Sequence, residues 1–445
     1  MNRSKLFIFI ALFLGVGAII AGIVVAIGGG GNSDNVPVPS PTVLPPTTPG
    51  PTPTNAPNIR DIIMDNARFG GSEFDNKDSY QSKAMEWVLT QSIPYSEFDL
   101  SQSEQTMQLY ALACLFYSTF AVPNLWTDHQ FGEDVVLPGW FDSRGWIKDA
   151  AEVCNWYGIT CNSDGAVTRL ALDTNGLTGS VPPELAYLAD SLEYLDLYNN
   201  IVHNEGDGGN SFLGELVNLE YLYLASTSFQ YNGIPTYIGE MTKLKELDLS
   251  YSLFFGPLQG PMWSKLTNLN YLVISGNSFN SSLPEELITL PELEYLYAGY
   301  SSVKSDLEFI ERMPKIYEFW FDDNPEVVGT IPASLGDVTT MASFSVTGCN
   351  LSGSIPEQIA QMTDLVQLWF YDNKLTGTIP TELATMKRLK ILELAKNDIT
   401  GTMPEGICDN RRPFGRLEDL VVDCDGKVSC PSNCCTCCGA QCINA

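Results

Sequence analysis

The chain has 445 residues, with 53 acidic against 24 basic side chains and a net charge of −29. That balance excludes nucleic acid as a partner, because phosphates are held by clustered Lys and Arg, and it favours cationic partners instead. Only two histidines are present, His129 and His203, and no zinc-protease, nucleophile-elbow or phosphate-loop spacing occurs, so the sequence reads as non-enzymatic and without a cofactor.

Residues 6–27, LFIFIALFLGVGAIIAGIVVAI, carry no charge. A bilayer-crossing helix takes about 20 such residues. Arg3 and Lys5 precede the run, which orients residues 1–5 as a short cytoplasmic tail and everything after Gly31 outside. The alternative is a cleaved signal peptide, whose apolar region runs about 7 to 15 residues, and a secreted product. Either route places the body of the protein in the secretory pathway, at the plasma membrane or another membrane of that pathway. Residues 28–58 are rich in Pro and Thr and are expected to form an extended, semi-rigid stalk.

Ser101 and Glu104 form a capping-box pair ahead of Leu109, Leu112, Ala113 and Phe116 at helical spacing, which predicts a helix over 101–120. An earlier helix is expected over 80–91. Cys114 falls on the apolar face and reads as a buried thiol.

From residue 167 one pattern recurs: L-x-x-L-x-L-x-x-N-x-L-x-G-x-I-P. LVQLWFYDNKLTGTIP (365–380) and LKILELAKNDITGTMP (389–404) show it fully, and MASFSVTGCNLSGSIP (341–356) carries Cys349 in the Asn place. First positions run from Val167 to Leu417 at intervals of 23 to 28 residues. A unit this short cannot bury its own apolar face, so neighbours must stack. Asn175, Asn200, Asn277, Asn324, Asn373 and Asn397 share one place after the predicted strand, where a buried amide can satisfy turning backbone. Thr227, Ser252 and Ser301 replace them in weaker turns. The acidic, Gly-rich stretch 200–215 lacks the calcium-loop spacing and reads as a simple excursion.

The pattern resembles the leucine-rich repeat, and its G-x-I-P continuation resembles the plant-type subclass. The resemblance implies an α/β solenoid: a curved superhelix with a parallel concave sheet and a second short strand per repeat. It spans 167–425, between a helical N-terminal cap (59–166) and a Cys-rich C-terminal cap (426–445). In CNWYGITC the resemblance pairs Cys154 with Cys161 and packs the Trp on the first coil. Cys408, Cys424, Cys430, Cys434, Cys435, Cys437, Cys438 and Cys442 read as a disulfide knot of unassigned pairing rather than a metal cluster, given the oxidising compartment. The resemblance further implies a receptor-like, kinase-lacking protein of ligand-binding or adhesion type, with a co-receptor role among its readings. A structural cell-surface or cell-wall protein without a ligand is the alternative, and acid pairs such as Asp322–Asp323 are too common here to indicate a glycosidase.

In the repeat frame, residues flanking the inward L-x-L pair face outward on the concave sheet. These are Tyr194, Tyr221, Glu246, Tyr271, Tyr295 and Glu318 at the third position. At the fifth stand Asp196, Tyr223, Asp248, Tyr297, Trp320 and Trp369. Tyr198, Asp322, Asp323, Tyr371 and Asp372 follow. Tyr and Trp suit strands and stack on neighbours in register, but an exposed aromatic stripe interleaved with acids marks a binding surface. It suits an extracellular protein, a basic peptide or a glycan. Asn280 and Asn350 head acceptor sequons for N-glycans.

Overall fold

The computed structural model describes residues 58–93, 100–120, 126–127, 134–135, 139–203, 211–411, 413, 415–424, 426–431 and 434–438. The expected tail, apolar run 6–27 and stalk lie outside these residues, as do most of the 200–215 excursion, the side chains of Cys437 and Cys438, and Cys442. Among the described residues no helix is long and apolar enough to cross a membrane.

The repeats build a 13-stranded sheet. Ile159–Cys161 pairs antiparallel with Val167–Ala171, and every later strand, from Tyr194–Asp196 to Asp419–Val422 and Cys437–Cys438, joins in parallel. The register stacks like on like: Leu195 on Leu222, Leu222 on Leu247, Leu247 on Leu272, Phe319 on Phe344. All of these side chains are buried, while the residues on either side of them are mostly half-buried. That is the alternation the L-x-L pair demands.

The second strand of the repeat forms short parallel pairs, among them Gln230–Asn232 with Leu253–Phe255 and Asn350–Ser354 with Val328–Thr330. The Pro of I-P then starts the next element. Pro182, Pro235, Pro284, Pro332, Pro356, Pro380 and Pro404 each stand at the N-cap of a short helix. A residue there needs no N–H of its own, so proline fits where the strand must stop.

The ladder residues are buried and bonded in both directions. Asn200 Oδ1 accepts from Asn175 N (3.1 Å) and Leu177 N (2.9 Å), and its Nδ2 donates to Leu172 O (2.8 Å) and Leu197 O (3.0 Å). Each amide thus ties its own turn to the preceding repeat. The thiol of Cys349 does the same more weakly, donating to Phe321 O at 3.4 Å. Ahead of the ladder runs a feature the sequence reading did not anticipate. The preceding residue has positive φ in each of the ten repeats before the last: Thr174, Asn199, Ser226, Tyr251, Gly276, Tyr300, Asp323, Gly348, Asp372 and Lys396. Only two are glycine, so eight side chains occupy the left-handed region because ladder bonds on both sides hold the turn.

Both ends of the ladder are closed. At the N-terminal end Asp142 N donates to Asn175 Oδ1 (2.7 Å), and Asn175 Nδ2 returns a bond to Asp142 O (2.9 Å). At the other end the Asp423 carboxylate accepts from Lys396 N and Asn397 N, each at 3.0 Å. The helices Tyr80–Leu89 and Gln102–Thr119 form as expected, the latter with its full capping box, and a further helix, Ile59–Asp65, precedes them. They dock through Trp87, 5.7 Å from Trp156, which continues to Trp146 and Trp140 at 5.1 and 4.6 Å. Cys154–Cys161 closes this cap, and Cys408–Cys434 and Cys430–Cys435 close the other. Cys114 and Cys349 are free and buried.

Candidate functional site

The open face of the long sheet carries the aromatic residues in two groups. Tyr194 lies 5.7 Å from Tyr221 and 5.5 Å from Tyr223. After a break at Glu246 and Asp248 the rings resume and stay in contact. Tyr271 meets Tyr295 and Tyr297 at 5.8 and 5.5 Å, Tyr297 meets Trp320 at 4.9 Å, and Trp320 meets Trp369 at 6.0 Å. The last contact spans a strand, because Ser345 lies between the two tryptophans in register. Ser343 and Ser345 are buried beneath them. Sequence reading missed these serines, whose small size in two outward places was the available signal. It also missed Tyr317, 5.8 Å from Tyr295.

The polar groups of the face are largely satisfied within it. Tyr194 donates to Asp196 (3.0 Å), Tyr223 to Glu246, and Tyr297 to Glu318 (2.7 Å). Trp320 Nε1 donates to Ser343 Oγ at 2.8 Å. Asp196 and Asp248 also hold their own turns, and Asp322 holds the turn of the next repeat. Asp196 accepts from Tyr198 N, Asp248 from Ser250 N and Oγ, and Asp322 from Thr347 N (2.8 Å) and Ser345 Oγ (2.5 Å). Burial pushes the Asp248 and Asp322 carboxyls up to about 6, against these hydrogen bonds. Burial likewise raises Tyr194 and Tyr198 to about 12, so both stay neutral hydroxyls.

Tyr297 is only 5% exposed and supports the face from below rather than presenting a ring to solvent. Trp320, Trp369, Tyr221, Tyr271, Tyr295 and Tyr371 are half-buried, with part of each ring open. Asp372 is exposed and pairs with Lys396 at 3.1 Å, whose ammonium also lies 4.8 Å from the Tyr371 ring centre.

The sulfur atoms of Cys424, Cys430 and Cys435 lie within 4.8 Å of one another. Cys430 and Cys435 are bonded together and Cys424 is disulfide-bonded as well, so the group has no thiolate to offer a metal. Asn280 is exposed; Asn350 is half-buried, its Nδ2 donating to Pro325 O at 2.6 Å.

No family model matches the chain. Among curated proteins it is 30% identical to Receptor like protein 21 of Arabidopsis thaliana over 187 residues, 40% of this chain and 18% of that one. It is 33% identical to Receptor-like protein 39 of the same plant over 168 residues, 32% of this chain and 18% of the relative. Among solved structures it superposes on the ectodomain of the plant membrane receptor kinase GASSHO1/SCHENGEN3 from Arabidopsis thaliana, bound to CASPARIAN STRIP INTEGRITY FACTOR 2. That match has a TM-score of 0.54 and 27% identity, over 63% of this chain and 32% of the other. A TDR receptor matches with a TM-score of 0.50 and 26% identity over 54% and 40% of the two chains. The chain therefore spans less than a fifth of the length of these curated relatives, and it is a leucine-rich-repeat protein similar to plant receptor-like proteins and the ectodomains of receptor kinases.

Proposed function

We infer that this protein is an extracellular ligand-binding module, displayed on a membrane through residues 6–27 and engaging its ligand on the open face of the long sheet. The observation that carries the reading is the run of touching rings from Tyr271 to Trp369, which leaves apolar surface open on a chain bound for solvent. The similarity to a receptor ectodomain solved with a bound factor supports it. The ligand is an extracellular peptide, protein or glycan, and a co-receptor role belongs to the same reading. The other reading, a structural surface protein, draws support from the internal hydrogen bonds of the face, since rings tied to their own carboxylates also stiffen a sheet.

Peptide and glycan arrays probed with the full chain separate the two. Tyr295→Ala, Trp320→Ala and Trp369→Ala should each weaken a ligand found this way by about 2 kcal/mol. Unchanged affinity in all three variants removes the open face as the binding surface.

A further inference from the structure

Three cations of the chain already lie over tyrosines of the open face. Arg169 is 3.3 Å from the centre of the Tyr194 ring, Lys245 is 6.0 Å from Tyr221, and Lys396 is 4.8 Å from Tyr371. They sit towards the two ends of the aromatic run. Among the described residues no cation–ring contact falls on Tyr271, Tyr297, Trp320 or Trp369, where the rings continue without a break.

Three donors of the same middle stretch are already engaged within it. Tyr297 gives its hydroxyl proton to Glu318, Trp320 its indole N–H to Ser343, and Ser345 its hydroxyl proton to Asp322. Beside these stand ring faces, the Tyr271 hydroxyl and the remaining carboxylate lone pairs of Glu318, Asp322 and Asp323. Such a surface accepts hydrogen bonds and gives few. A neutral sugar presents hydroxyls that need donors as well as acceptors. A guanidinium or ammonium carries donors only and is drawn to ring faces, so it matches.

We propose that the stretch from Tyr271 to Trp369 binds a cationic side chain of an extended peptide, seated on Trp320 beside Glu318, as the chain's own Arg169 is seated on Tyr194. This rests on the open face being the ligand surface and names the class of ligand it takes. Nona-arginine and its uncharged isostere nona-citrulline, titrated calorimetrically into the full chain at physiological salt, test it. Nona-arginine binds and nona-citrulline does not. Glu318→Gln and Trp320→Leu each weaken binding about tenfold. Glu357→Gln, an exposed acid on the helix Glu357–Gln361 outside the sheet, leaves it unchanged. Glu318→Gln preserves shape and keeps the test open if the leucine variant does not fold. Equal losses in Glu318→Gln and Glu357→Gln, or no loss in any variant, assign the binding to net charge and overturn the proposal. Failure of nona-arginine to bind also overturns it. If cellohexaose binds instead and Trp320→Leu alone weakens it, the cationic ligand is wrong while the open face stands. If no probe binds, neither reading is supported.

Discussion

Asn324 shows how much one side chain does here. Its Oδ1 accepts from Ser301 N and Val303 N at 3.1 and 3.0 Å, and its Nδ2 donates to Ala298 O and Phe321 O at 2.8 and 2.9 Å. Replacing it by Ala leaves three buried backbone groups unpaired and Phe321 O with only the weak Cys349 thiol bond, and a single unpaired group costs about 1–3 kcal/mol. Asn324→Ala should therefore lower stability by about 3–5 kcal/mol, read as a shift of the urea midpoint at constant slope. A loss under about 1 kcal/mol means that water replaces the amide and the ladder is ornamental. At Asn280 and Asn350 the contrast is one of access. Both are acceptor sequons, but Asn350 lies in the strand Asn350–Ser354 with its amide bonded to Pro325, whereas Asn280 is exposed. Glycopeptide mass spectrometry of the protein secreted from a eukaryotic host should find glycan on Asn280 and little on Asn350. The reverse occupancy contradicts this.

At the scale of elements, the L-x-x-L-x-L frame was enough to place the long sheet and its buried side, because a period fixes register by itself. The left-handed column was not legible, since Tyr251, Tyr300 and Lys396 are poor choices for positive φ and only their neighbours' bonds impose it. Nor did side-chain spacing reveal that Asp196 and Asp248 bond their own turns and Asp322 the next one, or that Tyr297 is covered, because each depends on which way a side chain leans. The disulfide Cys408–Cys434 spans 26 residues and ties the last helix to the C-terminal cap. Loss of a crosslink of this size costs about 3 kcal/mol. Because repeats contact only their neighbours, the loss should stay local. In Cys408→Ser/Cys434→Ser, hydrogen exchange should quicken from about residue 389 onward and leave residues 167–300 protected. Uniform quickening along the chain argues against a one-dimensional array.

For the whole molecule, the raised carboxyls set the pH response. Asp248 and Asp322 titrate near 6 in the folded chain and near the ordinary value of 3.8 when unfolded. Between those values the native state holds protons that the unfolded state has released. Stability from these groups is therefore fully present below about pH 4 and lost as pH rises through 6. Burial also raises Asp196, Glu184 and Glu393, which act in the same direction. The melting temperature should be higher at pH 5 than at pH 7.5. Asp248→Asn with Asp322→Asn should flatten the profile and add about 1–2 kcal/mol per site at pH 7.5. A protein that melts lower at pH 5 contradicts the assignment.

The ladder also has a polarity, since each amide reaches back to the preceding turn, and its two ends finish differently, on Asp142 backbone at one and on the Asp423 carboxylate at the other. An interior repeat with Asn at the ladder position therefore presents the same socket to its predecessor and the same plug to its successor as any other such repeat. Whole units can be duplicated or excised with the joint intact, whereas the first and last cannot be exchanged for one another or for an interior copy. Such a lineage can lengthen or shorten its binding face by single steps of inheritance, and only within the cassette between two fixed bookends.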